Sequence, residues 1–418
     1  MTSLADRLRG IVGTTNPQSP ISNLQSPIPN PQSLLGGTWR DGCFVVDRRW
    51  NAGDRHGRET IGAVAAWLHR ASEHACLFAA GLPPRLPFVF FDLETTGLSG
   101  GAGTQAFLIG CGRFEQDGGF TTRQWLLTRP ADERPMLQAA AAELSGAGAL
   151  VSFNGKSFDA PMLETRYAFH RLGWFGAAIA HVDVLHPARR FWKPADAECS
   201  LVALERRVLG VRRTGDVDGC EVPARYFRFI RTGDPRPLSA VLEHNRLDLL
   251  TLAALAARLF HLAAAGPSGA RSAAEAFALG TVYTRADLDE RARASFERAI
   301  EMSAAPAGAF DAVRIESLRW LALSLRRARR YEDAAGCWRR LLETRGCPKA
   351  VAREASQALA IHHEHRVRDL PAAKAFALRT LDPDVPPAWT SAVRHRLARI
   401  ERKIEQTGSL KSEVRSRF

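Results

Sequence analysis

Residues 88–98, which read FVFFDLETTGL, contain the stretch that decides the fold. The apolar residues Phe88–Phe91 are typical of a buried strand, and this strand ends at Asp92-Leu93-Glu94. Because alternate residues of a strand share a face, the carboxylates of Asp92 and Glu94 point the same way. Like charges at that spacing repel unless a cation lies between them, so the motif predicts a divalent metal bound by oxygen ligands. The alternative is an acidic, solvated turn.

The residues that follow this strand predict an α/β fold. Two further strand candidates, 106–114 and 120–127, are separated by turn-forming residues 116–119 and indicate a three-strand meander. Helix and strand patterns then alternate. They predict helices at 133–144, at 157–171, from Ser200 and at about 238–262, and strands at 149–153 and 181–184. Antiparallel strands followed by this alternation are typical of a mixed sheet flanked by helices.

Two later stretches place polar side chains on such elements. Residues 152–159, SFNGKSFD, follow a predicted strand and open a helix, so Asp159 falls in the first turn of that helix. In His244-Asn-Arg-Leu-Asp248, the two end residues are one helical turn apart and share a face. Asp183 belongs to the last predicted strand, where capping of a helix is the common role of an Asp and contact with the metal site is the alternative.

Taken in order, residues 88–98, 151–163 and 243–252 resemble the three motifs of the DnaQ-like (DEDD) exonucleases, a family of the ribonuclease-H-like superfamily. The resemblance is to the YprB type, in which such a domain is followed by tetratricopeptide repeats. It covers residues 84–263 for the nuclease and extends to about residue 390 through the repeats. It implies a ribonuclease-H-like mixed β-sheet flanked by helices, followed by an all-α, tetratricopeptide-like helical repeat domain.

The resemblance also implies a metal-dependent 3′–5′ exonuclease that hydrolyses phosphodiester bonds at single-stranded DNA or RNA ends. Two divalent cations, Mg²⁺ or Mn²⁺, about 4 Å apart activate a water on one side of the phosphodiester and steady the leaving oxygen on the other. The implied metal ligands, which are also catalytic, are Asp92, Glu94, Asp159 and Asp248. The implied substrate-binding residues are Thr95, Thr96, Leu98, Asn154 and Phe158, with ordinary packing as the alternative for the last two.

The histidine of the third motif departs from the family pattern. In one subgroup of these exonucleases a water-orienting His precedes the last Asp by five positions, and in the other a Tyr precedes it by four. His244 has the residue type of the first subgroup and the spacing of the second, and Glu243 stands where the first subgroup has its His. We predict that His244 is the catalytic, water-orienting base, with a supporting hydrogen-bonding role as the alternative.

Beyond residue 268 the pattern changes to helices that recur. Residues 279–299 fit the tetratricopeptide pattern, a second copy begins near Leu321, and a third, weaker copy begins near Leu359. A surface for a protein partner or for guiding the substrate is one interpretation, and the packing of stacked helices is the other. The predicted domains are a disordered leader (1–37), an N-terminal packing segment (38–83), the exonuclease domain (84–264), the repeats (268–400) and a basic tail (401–418).

The composition indicates a globular chain with a polyanionic partner. The 418 residues are 45% hydrophobic, and the net charge of +13 comes mostly from arginine, which suits phosphate contact. Coding bias is the alternative explanation. Seven scattered cysteines without a zinc-site spacing and a start without a secretory signal predict a reduced, cytoplasmic protein. The apolar stretch from Leu249 is interrupted by Arg258, which favours a buried helix over a membrane span.

Arginine-rich stretches at 189–190, 206–207, 212–213 and 225–236 resemble a phosphate track, and the aromatic residues in and next to them resemble its stacking platforms. These aromatic residues are Phe191, Trp192, Tyr226, Phe227 and Phe229. Solvated arginines are the alternative. Residues 101–106, GAGTQA, fit a dinucleotide-binding fingerprint, but a strand follows them, so we predict a hairpin loop. Two other functions stay open at this point: a catalytically weak nucleic-acid-binding protein, and an adaptor that acts through its helical repeats.

Overall fold

The structure is a computed structural model. It describes residues 30–97, 103–193, 198–303, 311–381 and 387–415, and in the last range the side chains of residues 388–406. Most of the predicted leader, residues 1–29, therefore lies outside the described residues, as do Leu98, the start of the predicted hairpin loop at 101–102 and the side chains at the end of the predicted basic tail.

One mixed sheet forms the centre of the first part of the chain. Its strands are β1 (Thr38–Arg40), β2 (Cys43–Trp50), β5 (Phe88–Thr95), β6 (Ala106–Phe114), β7 (Phe120–Leu126), β8 (Ala149–Ser152) and β9 (Ala180–Asp183), and a separate pair consists of β3 (Arg55–His56) and β4 (Glu59–Thr60). The strand order is β1-β2-β7-β6-β5-β8-β9. β5, β6 and β7 form the predicted antiparallel meander, and β8 and β9 continue the sheet parallel to β5.

The segment predicted to pack in front of the domain is in fact part of its sheet. β2 pairs antiparallel with β7 from Phe44–Leu126 to Trp50–Phe120, and β1 pairs with β2 at the edge. Burial of the first four residues of β2 explains this placement, because their side chains fill the space between the sheet and its helices. The prediction of a separate packing segment at 38–83 is corrected accordingly.

The end of the predicted leader is a short helix rather than disordered chain. α1 (Pro31–Leu35) begins after Asn30, whose side chain accepts a hydrogen bond from a backbone N–H of the first turn. Leu35 is buried, and the guanidinium of Arg48 donates to its carbonyl at 2.8 Å. The leader predicted for residues 1–37 therefore includes residues that pack against β2.

Helices cover both faces of the sheet. They are α2 (Ile61–Arg70), α3 (Glu133–Leu144), α4 (Asp159–Phe169), α5 (Leu185–Trp192), α6 (Leu201–Leu204), α7 (Val222–Thr232) and α8 (Arg236–Ala265). Phe88 and Phe90 of β5 share a buried cluster with α2 and α8, whereas Val89 and Phe91 share one with α3, α4 and α7. The predicted mixed sheet flanked by helices is confirmed, and α7 is a helix that the sequence pattern did not predict.

The long helix α8 joins the sheet to the rest of the chain. By length and composition it is apolar enough to cross a membrane, and 83% of its most apolar window is buried inside the protein. A helix that is apolar on all sides is typical of a position between two packed layers. α8 lies between the sheet on one side and α2 and the following helices on the other, which accounts for its composition.

The remainder of the described chain is helical. It consists of α9 (Ala273–Arg285), α10 (Asp289–Met302), α11 (Ala312–Arg327), α12 (Tyr331–Glu343), α13 (Lys349–His362), α14 (Leu370–Leu378) and α15 (Pro387–Arg415). Glu275 of α9 accepts hydrogen bonds from Trp192 of α5 at 2.9 Å and from Arg258 of α8 at 3.0 Å, all in buried surroundings. The all-helical C-terminal region is confirmed, while its assignment to tetratricopeptide repeats stays a prediction.

Gly110 of β6 is predicted to be required for the approach of α8 to the sheet. A Cβ atom added there would lie 2.1 Å from Asn245 Oδ1 and 3.0 Å from Leu249 Cδ1. We expect Gly110→Ala to lower the free energy of unfolding by about 1–3 kcal/mol, because the helix must move away from the strand. Urea denaturation measures this. Gly53→Ala is the matched control, since a Cβ there meets no atom within 4 Å; equal stability of the two variants would contradict the prediction.

Candidate active site

Four carboxylates from three elements lie together beside the sheet. Asp92 and Glu94 extend from one face of β5 toward α8, which carries Asp248, and Asp159 is the first residue of α4. Each of the other three carboxylates raises the pKa of Asp92, so all four interact electrostatically. These four residues are the metal ligands that the family resemblance implies, and they come from segments far apart in the chain.

Asn245 fixes the position of Asp92. Its side-chain N–H donates to Asp92 Oδ2 at 2.9 Å, and its Oδ1 accepts from Gln124 Nε2 at 2.8 Å. Asn245 is fully buried, where an amide without partners would be strongly unfavourable. Sequence reasoning missed this residue, although a polar side chain next to His244 on the buried face of α8 was a usable signal.

A tight turn brings Asp159 to the cluster. A Cβ atom added at Gly155 would lie 2.4 Å from Ser152 Oγ and 2.9 Å from Asp159 Oδ2, so only glycine lets this carboxylate sit so near the end of β8. Asn154 adopts a left-handed backbone conformation with φ of 69°, which asparagine tolerates better than most residues. Asn154 is exposed and Phe158 is half-buried, so both predicted substrate contacts are accessible beside Asp159.

Asp183 holds this turn and is not placed as a metal ligand. Its carboxylate accepts hydrogen bonds from the backbone N–H groups of Asn154 at 2.8 Å, Lys156 at 3.1 Å and Leu185 at 3.0 Å. Two of these bonds hold the turn and one reaches the first residue of α5, whose N-cap residue is Val184, so Asp183 acts as a brace of the turn rather than as the predicted N-cap. Asp183 still acts on the cluster, because its charge contributes to the raised pKa of Asp159.

The two threonines after Glu94 form the turn that ends β5. Thr95 is buried and its hydroxyl donates to the carbonyl of Gly97 at 2.9 Å. The hydroxyl of Thr96 accepts from the backbone N–H of Gln105 at 3.0 Å. Their predicted contact with a terminal nucleotide stays a prediction, as does that of Leu98, which lies outside the described residues.

Burial and repulsion between neighbouring carboxylates raise the pKa values of all four carboxylates of the cluster. Burial raises the pKa of Asp92 well above its ordinary value, and the other three carboxylates add to the rise. Burial also raises the pKa of Glu94 to about 8 and, together with Asp183, that of Asp159 to about 7. Desolvation and like charges both favour the protonated form of a carboxyl group. A bound cation would favour the ionised form and so lower these pKa values.

His244 is held between two carboxylates. Its Nδ1 donates to Asp216 Oδ1 at 2.7 Å, and its Nε2 lies 3.5 Å from Asp248 Oδ2. Burial lowers the pKa of His244, but Asp248, Asp216 and Glu94 together outweigh burial and leave it above the ordinary value. The spacing of four residues thus places the imidazole beside the last Asp, and Asp216 orients it. Asp216 was missed because it lies in a loop without any motif.

Arg213 joins the same network. Its guanidinium donates to Glu205 at 2.6 Å, to Asp248 at 2.5 Å and to Asp216 at 3.1 Å, and its side chain is only 4% exposed. The prediction that this arginine belongs to an exposed phosphate track is therefore wrong. Sequence reasoning did not single it out, because nothing in the pattern distinguishes it from the neighbouring Arg212.

The aromatic residues expected as stacking platforms are mostly core residues. Four of the five are buried: Phe191, Trp192, Tyr226 and Phe229. Phe227 alone among them is exposed, at 46%. Tyr226 stacks on Phe107 of β6 with ring centroids 4.1 Å apart, which anchors α7 to the sheet. The prediction is corrected because aromatic residues between arginines follow the buried face of a helix.

The chemistry of the donor set fits a divalent cation, while the side chains are not arranged as ready ligands. All four predicted ligands are carboxylates, the donors that Mg²⁺ and Mn²⁺ prefer. In the ranges that the structure describes, however, no group of three or more His, Cys, Asp or Glu side chains is placed to hold a metal ion. Arg213 contributes to this, because it bonds an oxygen of Asp248 that a cation would need.

Residues 89–260 match the RNase_H superfamily. The chain is 31% identical over 374 residues to the protein YprB of Bacillus subtilis (strain 168), and this match covers 86% of each chain. A family B DNA polymerase from the hyperthermophilic archaeon Pyrobaculum calidifontis is similar with 14% identity and a TM-score of 0.36, over 59% of this chain and 34% of the polymerase. The superfamily match includes all four clustered carboxylates.

Removing the Arg213 guanidinium is predicted to destabilise the fold. Arg213→Gln leaves the buried Glu205 without its ion-pair partner and Asp248 with His244 as its remaining cationic neighbour, so we expect unfolding to require about 3–5 kcal/mol less free energy. Urea denaturation near neutral pH measures this loss. Arg212→Gln is the matched control, because Arg212 is exposed and its loss changes stability by at most about 0.5 kcal/mol. A small and equal effect of both substitutions would contradict the role given to Arg213.

Proposed function

The chain belongs to the RNase H superfamily as a relative of YprB, and from this premise we propose that it is a metal-dependent 3′–5′ exonuclease acting on single-stranded nucleic acid ends. Membership of this superfamily supports a nuclease-type hydrolase with a nucleic acid substrate. The observation that carries the finer proposal is the convergence of four carboxylates from β5, α4 and α8, with pKa values raised by burial and mutual repulsion.

The proposed metal site uses these four carboxylates. The residues that would hold two divalent cations are Asp92, Glu94, Asp159 and Asp248. The chemistry that Mg²⁺ or Mn²⁺ supplies when bound is charge stabilisation at the attacking and leaving oxygens of a phosphodiester. Arg213 would release or share its Asp248 oxygen when the site is loaded, since the two positive charges compete for that carboxylate.

The chain's own proton-handling group in this proposal is His244. Asp216 accepts its Nδ1–H, which leaves Nε2 beside Asp248 and free to take a proton from the attacking water. This arrangement supports the role of water-orienting base despite the unusual spacing in the sequence.

The polarity and the end specificity rest on the family resemblance. In that resemblance the terminal nucleotide lies beside Thr95, Thr96 and Leu98, on the turn that follows the acidic pair. Asn154 is exposed on the turn before Asp159, and Phe158 is half-buried there, which supports contact with the strand. The released product would be a nucleoside 5′-monophosphate.

Single substitutions of the carboxylates are predicted to abolish nucleotide release. Asp92→Asn and Asp248→Asn each remove a charge that holds the cations, so release should fall by at least about 10²-fold. The assay uses 3′- and 5′-labelled single-stranded DNA and RNA with Mg²⁺, Mn²⁺ or EDTA. Asp333→Asn, an acid of α12 that is 53% exposed, is the matched control.

The outcomes of that assay separate the candidate functions. Metal-dependent release from 3′ ends that is lost in the two variants and kept in Asp333→Asn supports the exonuclease. Salt-dependent binding without release would overturn it in favour of a catalytically weak nucleic-acid-binding protein. Neither binding nor release would leave the adaptor that acts through its helices.

His244 and Asp216 are predicted to act in the chemical step. His244→Ala should lower kcat by about 10²–10⁴-fold, the range for loss of a general base, with KM nearly unchanged. Asp216→Asn should lower kcat less, because the imidazole remains but loses its orientation. Single-turnover release of labelled nucleotide measures both effects, with exposed His69→Ala as the control. An unchanged kcat in His244→Ala would assign His244 a purely structural role.

A further inference from the structure

A cleft of about 610 Å³ lies between the sheet domain and the first helix of the C-terminal region. One wall consists of residues 76–80, another of α5, and the third of the end of α9. The lining side chains that carry charge or titrate are Cys76, Lys156, Asp183, His186, Arg190 and Arg285. This volume is in the range of protein pockets that bind small ligands such as a nucleotide.

The cleft carries positive charge that the protein does not pair. In the part of the chain that the structure describes, Lys156, Arg190 and Arg285 have no carboxylate within ion-pair distance. The carboxylate in the lining, Asp183, accepts three backbone N–H groups of its own turn and helix. Burial and the like charge of Arg285 both lower the pKa of Arg190, so the two guanidinium groups repel each other across the cleft.

Unpaired cations that converge on a cavity favour an anion. A guanidinium group offers parallel N–H donors that match the oxygens of a phosphate, and the Lys156 ammonium adds a third positive charge. Arg190 comes from α5 and Arg285 from α9, so the two donors belong to different parts of the chain and face one space. The half-buried ring of Phe78 and Pro187 give the cleft an apolar wall beside these cations.

The cleft opens next to the carboxylate cluster. Lys156 lies within the turn that leads from β8 into Asp159, and the Asp183 carboxylate holds that turn by two hydrogen bonds. Gly155, the residue before Lys156, lies against the same cluster, since a Cβ atom added there would be 2.9 Å from Asp159 Oδ2. A strand whose end occupies the carboxylate cluster therefore reaches the cleft by passing over the turn at residues 154–158.

We propose that this cleft binds a backbone phosphate of the nucleic acid strand whose end lies in the carboxylate cluster, through Arg190, Arg285 and Lys156. The inference rests on the proposed function and adds a second binding site for the same strand. It makes the C-terminal helices part of the substrate site, because Arg285 ends α9. It also means that a strand must extend beyond its first nucleotides to reach these cations.

The test compares the binding of long and short strands by the full chain. Fluorescence anisotropy measures Kd for a labelled 12-nucleotide strand and for a dinucleotide, in an Asp92→Asn background that prevents hydrolysis. Arg190→Gln with Arg285→Gln should weaken binding of the 12-nucleotide strand about tenfold or more. The slope of log Kd against log salt should fall by about 0.7 for each phosphate that the protein no longer neutralises. Dinucleotide binding should not change.

Controls distinguish weaker phosphate binding from a damaged fold. Arg189→Gln removes the exposed arginine adjacent to Arg190 that does not line the cleft, and it should leave the affinity for the long strand unchanged. The thermal midpoint of the double variant should match that of the parent chain. Equal weakening by Arg189→Gln, or unchanged binding in a folded double variant, would overturn the proposal.

Further measurements identify the source of the phosphate and test the cleft separately from the proposed exonuclease activity. If the double variant loses affinity equally for inorganic phosphate, a mononucleotide and the long strand, the cleft is a free-phosphate site and the strand proposal fails. Loss of binding to a poly-glutamate peptide alone would indicate an acidic protein segment and would also overturn it. Dinucleotide hydrolysis by Arg190→Gln/Arg285→Gln with Asp92 intact tests the exonuclease separately, because that activity does not depend on the cleft.

Discussion

Four carboxylates, one of them buried and three half-buried, lie together between β5, α4 and α8, and their mutual repulsion is the constraint on which the surrounding structure depends. Two unit charges 4 Å apart interact by about 4 kcal/mol even at an effective dielectric constant of 20, so such a cluster opposes folding unless its surroundings compensate. The hydrogen bond from Asn245 to Asp92 is one compensation, and it requires α8 to approach β6 where Gly110 has no side chain. The close approach of α8 to β6 at Gly110 therefore also serves the electrostatics of the cluster.

Positively charged neighbours are not distributed evenly among the four carboxylates. Arg213 and His244 both counteract the rise in the pKa of Asp248, and Arg213 is itself shared with the buried Glu205. His244 also counteracts the rise in the pKa of Glu94, whereas the negative charge of Asp183 adds to the rise in the pKa of Asp159. One side of the cluster is thus neutralised by the protein, while the other keeps an excess of negative charge that a cation from solution would neutralise.

Much of this arrangement could be predicted from the sequence because it is local. Alternation along a strand places Asp92 beside Glu94, and one helical turn places His244 beside Asp248. The meander and the long helix were predictable for the same reason. The hydrogen-bond partners from distant segments could not be predicted. Arg213 and Asp216 lie in a stretch without a periodic pattern, and their roles depend on the path of the chain in the fold, which a single sequence does not reveal.

The same limit applies to the edge of the sheet and to the C-terminal helices. The residues of β2 show an apolar run that fits a strand, but only the pairing with β7 assigns them to this sheet. The helices after residue 270 were predictable as helices, whereas their relation to the sheet is set by buried polar contacts. Glu275 accepts hydrogen bonds from Trp192 and Arg258, and Tyr283 donates to the carbonyl of Ala263 at 2.7 Å. Such contacts tolerate little displacement, because a buried polar group without its partner is costly. They fix α9 against α5 and α8, so the helical region cannot drift away from the sheet domain without breaking them. The geometry therefore favours a chain in which the helices shape the approach to the carboxylates over one in which they form an independent module.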